Sequence, residues 1–231
     1  MKPFQFKEFS ILQSKNVFRV GTDGVLLGAS AKVDGAKNIL EVGTGSGLIS
    51  LMLAQRNREA EILAIDINKD ATDLAQTNFQ NSPFNERLRS DHIDFKEFKS
   101  MEKFDLIVSN PPYFEENPSN KDILARQQKE LSFKTLIKNS AAALSENGVL
   151  SVIIPFDAGE EFENIASESN LFLQRKKIIY GMIHSKAKRV ISEFGFQKKE
   201  ITHSELIIEK APRIYTEQYL DLTKDFHHFS K

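Results

Sequence analysis

Short apolar runs alternate with amphipathic stretches through the middle of this chain. Residues 38–42 form a compact apolar run that stops at a cluster of glycines, and residues 48–55 open from that cluster with helical spacing. A second strand pattern covers 61–67. Residues 69–81 place Ala71, Leu74, Ala75 and Asn78 on related faces of a helix, closed at Ser82 and Pro83 because proline has no N–H to continue the ladder. A weaker strand at 87–93 precedes one of buried type at 104–109. There Leu106, Ile107 and Val108 lead into an Asn-Pro-Pro run that neither a helix nor a central strand continues through. Residues 133–144 repeat the helical pattern, with 145–148 as its exit, before an apolar strand at 149–154 ended by Pro155. Strand and helix in alternation predict a parallel sheet.

After a helix at 158–170 the alternation stops. Three strand patterns, 173–180, 188–196 and 204–209, follow without helices between them and are expected to pair antiparallel. Ahead of the alternation, residues 1–36 form a leader rich in phenylalanine and aliphatics, whose apolar content predicts packing onto the core at 37–231. Residues 114–130, with a polar centre and no strand pattern, are the candidate for a mobile loop. A length of 231 residues suits a single α/β domain able to bury a core without staples.

Composition narrows the chemistry. The chain has no cysteine, which excludes disulfides and thiolate metal sites, and its five histidines are scattered, so no metal is expected. The first residues lack the basic flank and apolar stretch of an export signal, and no apolar run approaches membrane-spanning length. A soluble cytoplasmic protein is expected. A net charge of -1 argues against holding nucleic acid by bulk electrostatics, while a local basic face stays compatible with it.

Glu41, Val42, Gly43, Thr44, Gly45, Ser46 and Gly47 stand where the first central strand turns into a helix, the edge at which open α/β sheets bind ligands. Glycines let the backbone approach a ligand and adopt φ values that other residues resist. The spacing is Gly-x-Gly-x-Gly, not the Gly-x-Gly-x-x-Gly of dinucleotide folds. Asp66, roughly 20 residues farther on at the end of the next strand, can accept both hydroxyls of a ribose. The turn alone could be an ordinary strand-to-helix connection; with Asp66 it reads as a ligand site.

These residues resemble the first motifs of the class I S-adenosylmethionine-dependent methyltransferases. The resemblance implies a Rossmann-like α/β fold: a seven-stranded mixed sheet, mostly parallel, with antiparallel C-terminal strands and helices on both faces. It also implies S-adenosyl-L-methionine as cofactor, held by Glu41, Gly43, Thr44, Gly45, Gly47, Asp66 and Ile67. Glu41 would act electrostatically near the cofactor's amino group and sulfonium. An acid after the third strand would take the adenine amino group, and Asp94 fits that position better than Asp91.

Asn110-Pro111-Pro112-Tyr113 follows the fourth strand and is similar to the catalytic motif of amino methyltransferases acting on adenine, cytosine, guanine or glutamine nitrogen. An exocyclic amine has its lone pair delocalised into the ring and must be drawn toward tetrahedral geometry before it can attack. The Asn110 side-chain oxygen and the Pro111 carbonyl can each take one N–H. Pro111 and Pro112 stiffen the backbone, and Tyr113 offers a stacking face. The resemblance implies that Asn110 also borders the cofactor.

Together with residues 20–28 (Val-Gly-Thr-Asp-Gly-Val-Leu-Leu-Gly), 105–114 and 215–226, the chain resembles along its whole length the bacterial tRNA adenine-N6 methyltransferases acting on valine tRNA. Members modify the adenine immediately 3′ of the anticodon, so tRNA is the implied partner. Thr22 and Asp23 would close over the cofactor; they also suit a cap for the helix that begins near Val25. Candidates for an RNA groove are Lys176, Lys177, Lys186, Lys188, Arg189, Lys198 and Lys199 with Tyr180, Phe194 and Phe196, plus Lys121 and Arg126. The motifs by themselves also admit a protein-glutamine or ribosomal-RNA guanine-N2 methyltransferase, or a non-catalytic protein that keeps the fold. The leader is short for the glutamine enzymes, Tyr113 stands where the guanine enzymes favour phenylalanine, and intact Asn110, Glu41 and Asp66 argue against loss of activity.

Overall fold

A computed structural model describes residues 2–111 and 131–227. The alternating segment forms β3 (Asn38–Val42), α2 (Leu48–Arg56), β4 (Glu61–Asp66), α3 (Lys69–Gln80), β5 (Leu88–His92) and β6 (Phe104–Ser109). It continues through α4 (Phe133–Ala143), β7 (Leu144–Pro155) and α5 (Gly159–Glu168). Then come β8 (Phe172–Met182), β9 (Ala187–Gly195), β10 (Thr202–Ala211), β11 (Ile214–Tyr215) and α6 (Glu217–Thr223). The leader contributes β1 (Phe4–Gln5), β2 (Ser10–Ile11) and α1 (Thr22–Ser30).

Among the described residues the main sheet has nine strands in the order β11-β10-β8-β9-β7-β6-β3-β4-β5. The sheet exceeds the expected seven strands by two, because β10 and β11 extend it beyond β8. β3, β4, β5, β6 and β7 run parallel, as the alternation predicts. The expectation for the C-terminal strands is corrected: β9 is antiparallel to β7 and β8, but β10 runs parallel to β8. The reason is steric. β9 fills the place between β7 and β8, so only the outer flank of β8 remains, and a strand that returns across β8 from the end of β9 must lie parallel to it.

A second correction concerns residues 145–148, which do not leave the sheet. Leu144 pairs with Phe104 and Val149 with Leu106, so the extra residues form an irregularity within β7. A Cβ on Gly148 would stand 2.6 Å from the Phe104 carbonyl oxygen, an approach only glycine allows.

Period-two alternation divides the sheet's side chains between two cores. Ile39, Ile62, Leu106 and Val108 face the leader, α1, α2 and α3, while Leu40, Val42, Ile65 and Ile107 face α4 and α5. Phe6, Phe9 and Ile11 of the leader belong to the first core together with Phe226 from the other end of the chain. α1 lies close on α2 because Gly28 has no Cβ: one built there would meet Met52 Sδ at 2.8 Å. The carbonyls that end α1 are held by distant cations, with Arg56 Nη1 donating to Gly28 O and Ala31 O at 2.8 and 2.7 Å and Arg175 to Ser30 O at 2.6 Å. No described helix is long and apolar enough to cross a membrane.

Candidate active site

Strand register brings the motif residues to one level at the carboxyl edge of the sheet. Val42 pairs with Ile65 on β4 and with Ser109 on β6, and the Ser109 hydroxyl donates to Val42 O at 2.9 Å. The next residues, Gly43, Asp66 and Asn110, therefore leave three adjacent strands side by side. Neighbouring strands are about 4.8 Å apart, so groups carried at these three ends can reach one small ligand.

Alternation turns Glu41 inward, onto the face that carries α2, and it is buried. One carboxylate oxygen, Oε2, accepts from Thr44 Oγ1 at 2.9 Å, from Ser50 N at 3.1 Å and from the Ser50 hydroxyl. The other, Oε1, is buried without a partner among the described residues. Burial pushes the Glu41 carboxyl up to about 7 against the pull of the Ser50 and Thr44 hydrogen bonds. Its ionised form therefore suits a cation brought by a ligand.

The turn itself requires glycine. Gly43, Gly45 and Gly47 have φ of 77°, 55° and 82°. A Cβ on Gly47 would also stand 2.5 Å from the Phe79 ring, whereas around Gly43 there is open space. Gly43 N and Thr44 N both donate to Ile65 O, at 2.9 and 3.0 Å, and Gly45 N donates to Asp66 Oδ2 at 2.9 Å. Asp66 takes Asn68 N on its other oxygen at 2.9 Å. Burial raises its carboxyl above the ordinary range, opposed by those two backbone bonds.

Ile67, just beyond, is 37 % exposed, and its carbonyl bonds to His92 Nε2 at 2.8 Å. Asp94 lies past the end of β5 at the same edge, its Oδ1 accepting from Lys96 N at 2.9 Å. Asp91 sits inside β5, paired with Ile65.

Thr22 is exposed on the first turn of α1, and Asp23 is half-buried. The expected cap is corrected here: Gly21 occupies the N-cap position, in extended conformation and without a side-chain bond. Asp23 instead accepts from Arg189 Nε at 2.9 Å, which joins α1 to the start of β9. The leader crosses the turn at Val17, whose Cγ1 lies 4.0 Å from the Cβ position of Gly45. Asn78 fastens it there: Oδ1 accepts from Leu12 N at 2.8 Å, and Nδ2 donates to Ser46 O at 2.8 Å and Leu12 O at 3.2 Å.

Asn110 is half-buried and Pro111 buried at the mouth of this edge. Pro112, Tyr113, Lys121, Arg126 and the loop at 114–130 lie outside the described residues.

Residues 8–162 match the family model described as the methyltransferase small domain. A protein of Flavobacteriaceae bacterium (strain 3519-10), named tRNA1(Val) (adenine(37)-N6)-methyltransferase, is 56% identical over 230 residues, covering 99% of this chain and 100% of that protein. The chain belongs to this methyltransferase family. A relative of the same name from Phocaeicola vulgatus is 42% identical over 227 residues, with 97% of each chain covered. In fold, the methyltransferase is similar to a predicted O-methyltransferase, Atu636, from Agrobacterium tumefaciens. The TM-score is 0.70 at 18% identity, over 88% of this chain and 96% of that one.

Reading the sequence missed several residues that shape this methyltransferase site. Ser50 and Asn78 are buried polar residues on helices, and Asn78 shares a face with Ala71 and Ala75, a polar residue in an apolar stripe that signals a buried contact. Arg189 carried no sign of its pairing with Asp23, 166 positions away. The proposed basic groove is divided by the fold. Lys176 is bonded to Glu163 at 2.6 Å, Phe194 is buried, and Lys198 lies over Phe172 at the amino edge, 4.7 Å from the ring centre. Lys186, Lys188 and Arg189 stand at the carboxyl edge with the site. A cavity of about 410 Å³, lined by Asp105, Gly148, Arg175, Glu193 and Lys199 among others, opens at the amino edge, away from the motif residues.

Proposed function

We propose that this methyltransferase transfers a methyl group from S-adenosyl-L-methionine to N6 of an adenine in tRNA, the adenine immediately 3′ of the anticodon in valine tRNA. The names of relatives spanning its full length support the substrate. The observation that carries the chemistry is the alignment of Gly43, Asp66 and Asn110 at one edge beside a buried carboxylate with one oxygen unpartnered among the described residues.

The residues present fit the cofactor. Glu41 Oε1 is an acceptor with no partner among the described residues, suited to a cationic amino acid portion. Asp66 uses two bonds to fix the turn and, as a carboxylate with about four lone-pair sites, retains capacity for ribose hydroxyls. Gly43 leaves its Cβ position open for close approach. When bound, S-adenosyl-L-methionine supplies a methyl group activated by a sulfonium whose departure leaves a neutral thioether.

The chain's own work is to orient the amine. The Asn110 Oδ1 and the Pro111 carbonyl accept its two N–H groups and turn its lone pair out of conjugation. Tyr113 stacks the base displaced from its neighbours. No strong base is needed, because the surplus proton becomes acidic only after methylation and passes to water; positioning carries much of the rate.

The test incubates the purified protein with labelled S-adenosyl-L-methionine and unmodified tRNA, ribosomal RNA or a glutamine-bearing release factor. Label is expected at one adenine of tRNA. Asn110→Ala should lose roughly 10²–10³ in turnover, as when a comparable positioning hydrogen bond is removed. Label in protein or ribosomal RNA but not in tRNA would overturn the reading.

A further inference from the structure

Exposed apolar side chains gather where the motif residues lie. Of the nine large hydrophobics that stand open to solvent among the described residues, Ile67, Phe156, Ile183, Ile214 and Tyr215 belong to the carboxyl edge. The last three sit on two turns that the sheet holds side by side. Met182 pairs with Glu209, and Ile183 N donates to Glu209 O at 3.2 Å. The β8–β9 turn is thereby bound to the β10–β11 turn.

The same two turns are basic. Residues 182–189 carry Lys186, Lys188 and Arg189 with no acid, and residues 210–215 carry Lys210 and Arg213 with no acid, in a chain of net charge -1. Arg189 is paired with Asp23 and Lys210 with Glu217, at 2.9 and 3.4 Å. Lys186, Lys188 and Arg213 are exposed and form no ion pair among the described residues. Backbone strain supports a function: His184 and Arg213 hold left-handed φ of 62° and 65°, a conformation that non-glycine residues resist.

We infer that these two turns form an RNA-gripping shelf, with Lys186, Lys188 and Arg213 on phosphates and Ile214 with Tyr215 under an unpaired base. Tyr215 is backed by Tyr219, stacked at 4.8 Å between ring centres, which stiffens it as a platform. Four strand spacings separate β10 from β6, about 19 Å, so the shelf holds RNA flanking the target base and not the target itself. Phosphate contacts set register and bases stack without needing sequence-specific bonds, which suits a single-stranded loop next to a stem. This inference rests on the tRNA reading above and gives its substrate a place on the surface.

The experiment measures binding of a fluorescein-labelled anticodon stem-loop RNA by anisotropy at several salt concentrations, with calorimetry of S-adenosyl-L-methionine and steady-state kinetics on tRNA. The variants are Lys186→Ala with Arg213→Ala, Ile214→Ala alone, and Lys198→Ala with Lys199→Ala as an amino-edge control. Circular dichroism checks that each is folded. For the first pair, RNA affinity is expected to fall about tenfold, and the dependence of log K on log salt to become shallower by about 1.5. KM for tRNA should rise, with kcat and cofactor affinity unchanged. Ile214→Ala should weaken binding several-fold without changing the salt slope, and the control should match the parent.

RNA affinity within about twofold of the parent with an unchanged salt slope in the first pair would overturn the shelf, as would an equal loss in the control. If the parent methylates tRNA normally in that case, the function stands and only the shelf fails. A parent that binds cofactor and RNA but methylates no tRNA overturns the function, and the shelf is then judged on the binding curves. A parent that binds no RNA overturns both.

Discussion

Asn78→Ala cuts the tie between the leader and the glycine turn. The Asn78 side chain is wholly buried, and its three hydrogen bonds serve Leu12 N, Leu12 O and Ser46 O. Leu12 is half-buried, so water can replace two of them at a net cost of about 1 kcal/mol each, while the more enclosed Ser46 carbonyl loses about 1–3 kcal/mol. The sum is about 3–5 kcal/mol, a large part of a typical stability of 5–15 kcal/mol. Urea unfolding measures that loss. Calorimetry with S-adenosyl-L-methionine measures the coupling: freed of Asn78, the leader no longer presses Val17 on the turn, and affinity is expected to fall about tenfold, or 1.4 kcal/mol. Asn78→Asp should recover part of the stability at low pH, where a protonated carboxyl can again donate to Ser46 O. A stability loss below about 1 kcal/mol would refute the hydrogen-bond reasoning. A full loss with unchanged cofactor affinity would refute the coupling.

Two further outcomes follow from the turn. The folded-state Glu41 value of about 7 lies above the ordinary 4.5, so its contribution to stability is full below pH 4.5 and is lost as pH rises through about 7. The loss amounts to about 3 kcal/mol in urea titrations of the cofactor-free protein, and Glu41→Gln should flatten it. Because a cationic cofactor favours ionised Glu41, its Kd should fall about tenfold between pH 6 and pH 8 in calorimetry, a trend that Glu41→Gln should remove. Gly47→Ala should cost about 1–2 kcal/mol for its backbone and a further 1–3 kcal/mol for the clash with Phe79, whereas Gly43→Ala, with open space around it, should bear only the first; urea midpoints compare them.

Local pattern carried much of this protein. The apolar runs that became β3, β4, β6 and β7 and the helical stripes of α2, α3 and α4 are set by side-chain periodicity, a property of neighbours in sequence. The glycine turn and Asp66 were legible for the same reason, since a positive φ and a carboxylate at a strand end are demands on single residues. Asn110-Pro111 was legible from composition, because few backbones other than a turn accept it. Even the inward placement of Glu41 follows from its parity with Ile39 along β3.

What needed the tertiary structure was anything fixed by a partner far along the chain. β10 reads as a strand in sequence, but its direction depends on β9 having filled the inner flank of β8. Asp23 reads as a cap until Arg189 comes within 2.9 Å of it. The basic residues from Lys176 to Lys199 look alike in a list, and only the turn of the sheet sends Lys198 to one edge and Lys186 to the other. The helical stripe places Asn78 beside Ala71 and Ala75, but its bonds to Leu12 and Ser46 depend on the leader and the glycine turn meeting there. Periodicity reports which face a residue occupies; which residue it meets there is settled by strand order and register, and those are decided by the packing of the whole sheet.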